Sequence, residues 1–221
     1  MTAILVVLTI IVAVAVDVAL VKLRRRTAAP AVARLEPMRV PTVPPSVFLA
    51  PTHAWAHLAT DGTVRIGADD FLAQLAGEVD SVEVAAPGTK LEAGDPLFTL
   101  AVGGREITVL APFSGEVVAT NPAVAERPYL AARDPYGVGW IVALWTRDLH
   151  EALKSLRIGA HADAFLRREM ERLHEFLAGL SLARPAPALA DGGLPLKGAV
   201  RMLDDASFIA FCQEFLSGKE A

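Results

Sequence analysis

Cysteine is almost absent from this chain of 221 residues, in which Cys212 is the single thiol. One thiol cannot build an internal disulfide framework, a multi-cysteine zinc site or an iron–sulfur cage. An excess of positive charge is also lacking, because 25 acidic residues outnumber 21 basic ones and the formal net charge is −4. This balance argues against nucleic acid as a partner. Apolar residues make up 53% of the chain, which excludes a wholly disordered protein.

Charge is unevenly distributed along the chain. From Val40 onward, 15 Lys and Arg residues stand against 23 Asp and Glu residues, so this part carries a charge of −8. The excess of positive charge therefore lies near the N-terminus.

The one long apolar run covers residues 3–21, where Asp17 is the only charged residue. About 19 residues at a helical rise of about 1.5 Å span a hydrocarbon layer of roughly 30 Å. A cleaved signal peptide carries its basic residues before the apolar centre, whereas here Lys22 and three arginines follow it. Residues 1–26 are therefore predicted to be an uncleaved transmembrane helix with a basic flank. Because positive flanks stay in the cytosol, we expect a single-pass protein of the inner (cytoplasmic) membrane with a cytoplasmic C-terminal domain.

Residues 27–50 contain prolines that are too closely spaced for a helix. These prolines are Pro30, Pro37, Pro41, Pro44 and Pro45. Their spacing favours a semi-stiff tether, which in polyproline II geometry extends by about 3.1 Å per residue. Such a tether would hold the following domain away from the bilayer.

Short β segments separated by turn residues follow this stretch. The predicted strands are Thr63–Ile66, Asp80–Ala85, Pro96–Val102, Arg105–Leu110, Gly115–Ala119 and a core strand from Trp140 through Leu144. A helix is predicted over Ala68–Leu75, where Asp69 and Asp70 suit a helix start. Gly103 and Gly104 readily adopt the positive φ angles of a two-residue type I′ turn, so they are predicted to form a hairpin tip.

Several fragments of this region occur in a recognisable order and spacing. They are His53-Ala54-Trp55, Gly62–Phe71, Gly77–Val84, Pro87–Thr89, Pro112–Val118 with Asn121, and Asp134–Trp140. Together they resemble the glycine cleavage H protein family, a relative of the lipoyl and biotinyl carrier domains. The resemblance implies a mainly β, lipoyl-like (barrel-sandwich hybrid) domain with flanking helices, which we place at residues 51–180.

The resemblance also implies a lysine at the hairpin tip that bears lipoic acid and shuttles an aminomethyl group and reducing equivalents between enzymes. The family lysine lies seven residues before the small residue that precedes the Pro-x-Ser-Gly turn, here Ala111. Counting back gives Gly104, and a slip of one gives Gly103 or Arg105. Glycine has no side chain and a guanidinium stays protonated near neutral pH, so none of the three residues accepts a lipoyl group.

Lysines elsewhere are few. They are Lys22, Lys90, Lys154, Lys197 and Lys219. Lys90 is the least implausible substitute for the missing amine, because Pro87-Gly88-Thr89-Lys90 resembles a loop of the family that carries a lysine. We therefore expect no cofactor, with lipoate on a non-standard lysine as the alternative.

No constellation for catalysis or metal binding emerges. His53 and His57 are four residues apart, but they lie in a predicted extended segment without an acidic or cysteine ligand in a ligand pattern. Ser114 lies in a turn and lacks the Gly-x-Ser-x-Gly context of a nucleophile. The chain is therefore not expected to be an enzyme or to hold a metal, and no small-molecule substrate is identified.

Helices are predicted after the β region, over Leu149–Leu156 and His161–Leu180. The second has an apolar stripe that packs either on its own β domain or on a partner helix. Residues 181–221 are predicted to be a flexible tail that ends in a helix over Asp204–Leu216. Its candidate docking side chains are Phe208, Phe211 and Phe215, which would bind either their own domain or another subunit.

These features favour a non-catalytic, membrane-anchored module without lipoate. Such a module would act as an adaptor or accessory subunit, with partner proteins in a membrane-associated complex. The alternative is a genuine lipoyl carrier of the glycine cleavage type that uses a non-standard lysine.

Overall fold

The computed structural model describes residues 36–183 and 194–218, which belong to one compact unit. The predicted anchor, residues 1–26, and the first part of the predicted tether lie outside the described residues. Within the described ranges, no helix has both the length and the apolar character needed to cross a membrane.

Ten strands and six α-helices make up the described part of the chain. The strands are β1 Phe48–Leu49, β2 Ala54–Leu58, β3 Val64–Ala68, β4 Ser81–Val84, β5 Lys90–Leu91, β6 Pro96–Val102, β7 Arg105–Leu110, β8 Gly115–Thr120, β9 Val142–Trp145 and β10 Arg157–Ile158. The helices are α1 Asp70–Ala76, α2 Pro122–Glu126, α3 Leu130–Arg133, α4 Leu149–Lys154, α5 Ala160–Ala183 and α6 Asp205–Phe215, with a 3-10 helix at Ala199–Met202. The expectation of a mainly β domain with flanking helices is confirmed.

The strands form two antiparallel sheets that share one core. The larger sheet has the order β10-β1-β2-β3-β9-β8-β5, and the smaller one has the order β4-β6-β7. In the hairpin β6–β7, Leu100, Val102 and Ile107 point into the core. Thr99 and Thr108 pair on the other face, with their hydroxyls 3.1 Å apart. This alternation of buried and exposed residues fixes the register of the hairpin.

Helix α1 joins the two sheets and is buried along its whole length. Its N-terminus is capped by Asp69, whose carboxylate accepts a hydrogen bond from the Leu72 N–H at 2.9 Å. The helix begins two residues later than predicted because β3 continues through Ala68. It ends at Ala76 and is followed by the capping residue Gly77, where φ is 69°.

Residues 36–50 pack on this domain, so the tether interpretation is wrong for that part of residues 27–50. Met38 and Val47 are buried among core residues. The Met38 N–H donates to the Pro195 carbonyl at 2.7 Å, and the Arg39 guanidinium donates to Asp70 at 2.8 Å. Apolar side chains between the prolines and backbone hydrogen bonds to residues 195–197 hold the segment in place.

The C-terminal elements also pack on their own chain. Leu166, Leu173 and Leu177 on α5 are buried in the common core. Phe211 and Phe215 on α6 are 1% and 2% exposed, so these two rings are not available to another subunit. Residues 194–218 are therefore docked rather than flexible, because their aromatic side chains find partners such as Phe71 and Phe176.

The close contact between Gly67 and Trp55 yields a test of this packing. A Cβ at position 67 would lie 2.8 Å from the Trp55 Nε1 atom, in the middle of the sheet. We expect Gly67→Ala to destabilise the protein by about 1–3 kcal/mol, measured by denaturant unfolding. The control is Gly179→Ala on α5, where a Cβ meets nothing within 4 Å. This change should stabilise the protein by roughly 0.5–1 kcal/mol, and equal effects of the two substitutions would contradict the packing described.

Candidate functional site

The tip of the β6–β7 hairpin is the candidate site, and it is a Gly-Gly turn as predicted. Gly103 and Gly104 have φ angles of 59° and 79°. The Gly103 N–H donates to the carboxylate of Asp80, the residue before β4, and this hydrogen bond holds the tip against the start of that strand. A Cβ at Gly103 would lie 3.0 Å from Arg201 Cγ, whereas a Cβ at Gly104 would meet nothing within 4 Å. Position 104 therefore faces open space, and position 103 faces the C-terminal segment.

Arg105, the first residue after the turn, reaches the segment that precedes and begins α6. Its guanidinium donates to the carbonyls of Leu203 and Asp204, the latter at 3.4 Å. It also forms an ion pair with Asp205 at 3.3 Å and lies over the Phe208 ring, 5.0 Å from the centroid. The predicted docking residue Phe208 thus contacts the hairpin of its own chain.

Arg201 makes the reciprocal connection from the C-terminal segment back to the β domain. Its guanidinium donates to the Glu78 carbonyl at 2.6 Å and to the Asp80 carboxylate at 3.0 Å. The Gly103 N–H and then Arg201 hold the pKa of Asp80 below its usual range. We call Asp80, Arg105, Arg201 and Asp205 the tip clasp, because two arginines from opposite sides bind residues 194–218 to the hairpin.

The described lysines lie away from this tip. Lys90 is on β5, the edge strand of the larger sheet, opposite Glu116. Lys154 pairs with Glu151 at 3.5 Å, and Lys197 pairs with Glu36 at 2.9 Å. Lys22 and Lys219 lie outside the described residues.

The two histidines that stand four residues apart do not share a strand. His57 is on β2, whereas His53 precedes that strand with a φ of 60° and is fully buried. In the described part of the chain, no group of three or more His, Cys, Asp or Glu side chains could hold a metal ion.

His53 instead lies between two carboxylates. Its Nδ1 is 2.8 Å from Asp69 Oδ2, and its Nε2 is 3.6 Å from Glu169 Oε2. The ring stacks on Phe71 with a centroid distance of 4.5 Å. Asp69 caps α1 and Glu169 lies on α5, so the imidazole joins the first strands to both helices. Sequence reasoning missed this group, because Glu169 is more than a hundred positions away.

Glu169 extends this connection to α6 through Arg172. The Arg172 guanidinium donates to Glu169 at 2.7 Å and to the Glu214 carbonyl at 3.2 Å. It also lies 4.9 Å from the Phe215 centroid. Helix α6 is therefore bound at its C-terminal end by Arg172 and at its N-terminal end by Arg105.

Electrostatics keep the His53 imidazole charged. Burial alone lowers its pKa, but attraction to Asp69 and then Glu169 outweighs burial and raises the pKa to about 9. Burial raises the pKa of Glu169, but His53 and Arg172 outweigh this effect and lower it below its usual value. At neutral pH, a buried cation thus faces two carboxylates.

The tip clasp predicts a local effect of Arg105→Ala. Losing charge-assisted hydrogen bonds worth about 1–3 kcal/mol should raise amide hydrogen exchange about tenfold or more at the start of α6. The Phe208 N–H is the natural reporter, since it bonds to the Asp204 carbonyl at 2.8 Å. The core amides of β6 and β7 should be unaffected. Arg147→Ala, at an exposed position, is the control, and identical exchange in both variants would disprove the clasp.

The raised pKa of His53 predicts a pH dependence of stability. A group whose pKa is higher in the folded state stabilises fully below its unfolded value of 6.5, and this stabilisation is lost as the pH rises through about 9. We expect the free energy of unfolding to fall between pH 6.5 and 9. His53→Gln should lower stability at pH 6.5 and flatten the profile, whereas His57→Gln should keep the slope. A slope that survives in His53→Gln would assign it to another group.

Comparison with known proteins places this chain in a family. Residues 48–169 match the profile described as Glycine cleavage H-protein. A probable glycine cleavage system H protein 2 of Sulfurisphaera tokodaii is 37% identical over 108 residues, which cover 49% of this chain and 72% of the relative. A glycine cleavage system H protein of Thermus thermophilus is 32% identical over 121 residues, covering 55% of this chain and 94% of the relative.

The crystal structure of a glycine cleavage system H protein from Mycobacterium marinum matches this fold with a TM-score of 0.50 and 25% identity. The match covers 57% of this chain and 98% of that protein. Residues 194–218, which bind the hairpin tip, lie outside the region matched by the family profile. The chain therefore belongs to the glycine cleavage H-protein family, and its domain is a module of the lipoyl-carrier type.

Proposed function

We propose that this protein is an H-protein-like module that carries no lipoate and acts as a membrane-anchored adaptor or accessory subunit. The observation that carries the proposal is the glycine at position 104, the hairpin position where the resemblance places the lipoyl lysine. A lipoyl amide requires a primary amine, and a glycine supplies none.

The neighbouring tip residues do not fit lipoate either. Gly103 likewise has no side chain, and a Cβ added there would point at Arg201. Arg105 has a guanidinium in place of a primary amine, and this group contacts the Leu203 carbonyl, Asp205 and Phe208. None of the three tip residues can therefore form a lipoyl amide through its side chain.

The tip clasp supports an adaptor role. A carrier hairpin must present its arm to successive enzymes, which requires an accessible and unencumbered tip. Here a segment beyond the family match binds one side of the tip through Arg105 and Arg201. A tip held in this way suits a module that is recognised as a rigid surface.

Membrane attachment remains part of the proposal and rests on the sequence of residues 1–26. The apolar run and the basic residues after it favour a single-pass anchor in the inner membrane, with the H-protein-like domain in the cytoplasm. Protease protection of the domain in spheroplasts tests this orientation. Partner subunits would then be sought by purification of the intact protein in mild detergent.

The alternative is a lipoyl carrier that uses Lys90. This lysine is exposed, and its backbone is paired with Glu116 on β8. It belongs to the other sheet, so an arm attached there would leave from a different part of the domain. Finding lipoate on Lys90 would establish this alternative.

Intact mass spectrometry of the protein made in cells with active lipoylation tests the proposal. We expect the native protein to carry no lipoyl group, while the Thermus thermophilus H protein made in the same cells serves as the positive control. Gly104→Lys would place an amine in open space and should gain a lipoyl group. Gly104→Arg is the matched control, since it has a similar length and the same backbone strain but no reactive amine. A lipoyl group on any residue of the native protein would refute the cargo-free function.

A further inference from the structure

A small cavity lies between β10 and the start of α5, and the described residues that line it are basic or apolar. Its volume is about 290 Å³. The lining residues are Leu156, Arg157, Ile158, His161, Ala164 and Arg168. We call this cavity the basic cleft. It lies apart from the hairpin tip, so a ligand of the cleft is independent of the proposed function.

The charge of the basic cleft differs from that of its surroundings. The chain from Val40 onward carries −8, yet among the described residues that line this cavity there is no Asp or Glu. The larger cavity of about 470 Å³ beside Arg39 has a mixed lining, because Asp70 and Glu78 line it together with the cations. The basic cleft therefore presents positive charge to a ligand that enters it.

The carboxylate of Glu169, on the same helix as Arg168, contacts residues outside the cleft. It is held by Arg172 at 2.7 Å and faces His53. Burial, and then the positive charge of Arg168, lower the pKa of Arg157, while Glu169 offsets only part of this. Because Arg157 and Arg168 carry like charges and both line the cleft, an anion bound there would interact favourably with each of them.

The position of Arg157 suits the recognition of an oxyanion. Its guanidinium lies over the Phe165 ring at 4.6 Å, which holds the planar group in one orientation. A guanidinium fixed in this way binds phosphate oxygens with less loss of side-chain entropy. Arg168 and His161 are exposed on α5 and can approach the same ion.

We propose that the basic cleft binds a phosphate group, through Arg157, His161 and Arg168. Two guanidinium charges match a phosphate dianion better than a carboxylate monoanion, and arginine forms paired hydrogen bonds with phosphate oxygens. The apolar wall of Leu156 and Ile158 would contact carbon atoms attached to that phosphate. The phosphate would come either from a free phosphate compound or from a phospholipid headgroup.

The test uses the full chain purified in mild detergent and titrated with inorganic phosphate, with sodium chloride holding the ionic strength constant. The readouts are the His161 resonances and the thermal midpoint. We expect saturable binding that Arg168→Gln weakens about tenfold, the effect of losing one charge-assisted interaction of about 1.4 kcal/mol. Arg167→Gln is the matched control, because Arg167 is the exposed neighbouring arginine that does not line the cleft. It should change the affinity by less than about twofold.

A second variant and further ligands make the result decisive. His161→Gln should also weaken binding, which guards against a folding defect in one variant. Acetate at the same ionic strength should bind more weakly than phosphate. Water-soluble dibutyryl phosphatidic acid and glycerol 3-phosphate distinguish the sources: tighter binding of the phosphatidic acid indicates a lipid headgroup, and equal or tighter binding of glycerol 3-phosphate indicates a free phosphate compound. Absence of saturation, or equal losses in Arg167→Gln and Arg168→Gln, would overturn the proposal, since both outcomes indicate general charge screening.

Discussion

A buried, charged imidazole between two carboxylates organises the helical part of this molecule. His53 contacts Asp69, which caps the helix joining the two sheets, and faces Glu169 on the long helix. A charge without water requires such partners, because an unpaired ion in the interior is strongly destabilising. Through Glu169, the same network holds Arg172 and hence the last helix. The placement of the C-terminal segment thus depends on a group at the start of the β domain.

The other end of the last helix meets the hairpin tip, and this contact shapes the functional interpretation. In a lipoyl carrier, the tip is where cargo is attached. Here the tip has two glycines and an arginine. Arg105 and Arg201 connect the hairpin region to residues 194–218, which lie outside the region matched by the family profile. The fold of the family is retained, and the tip is held by intramolecular contacts. These contacts support the proposed adaptor function.

Elements whose conformation depends on adjacent residues in the sequence were predictable. The strands Pro96–Val102 and Arg105–Leu110 and the Gly103-Gly104 turn match the prediction, because alternation and positive φ are properties of adjacent residues. The proline-rich residues 36–50 were misjudged, since proline spacing reports local stiffness and not the burial of Met38 and Val47. Sequence patterns likewise identified no partner for His53, because its partners Asp69 and Glu169 lie 16 and more than a hundred positions away.

The sequence by itself determined the β architecture, the hairpin and the absence of an amine at its tip, because each follows from residue type and local order. The tertiary structure alone decided which surfaces meet. An apolar stripe bearing Phe211 and Phe215 requires burial but does not specify a partner, and an arginine requires acceptors but does not name them. Only the folded chain brings Arg105 to residues almost a hundred positions later and closes the C-terminal segment onto the tip. Contacts over such separations depend on the packing of the whole core, which no local pattern encodes.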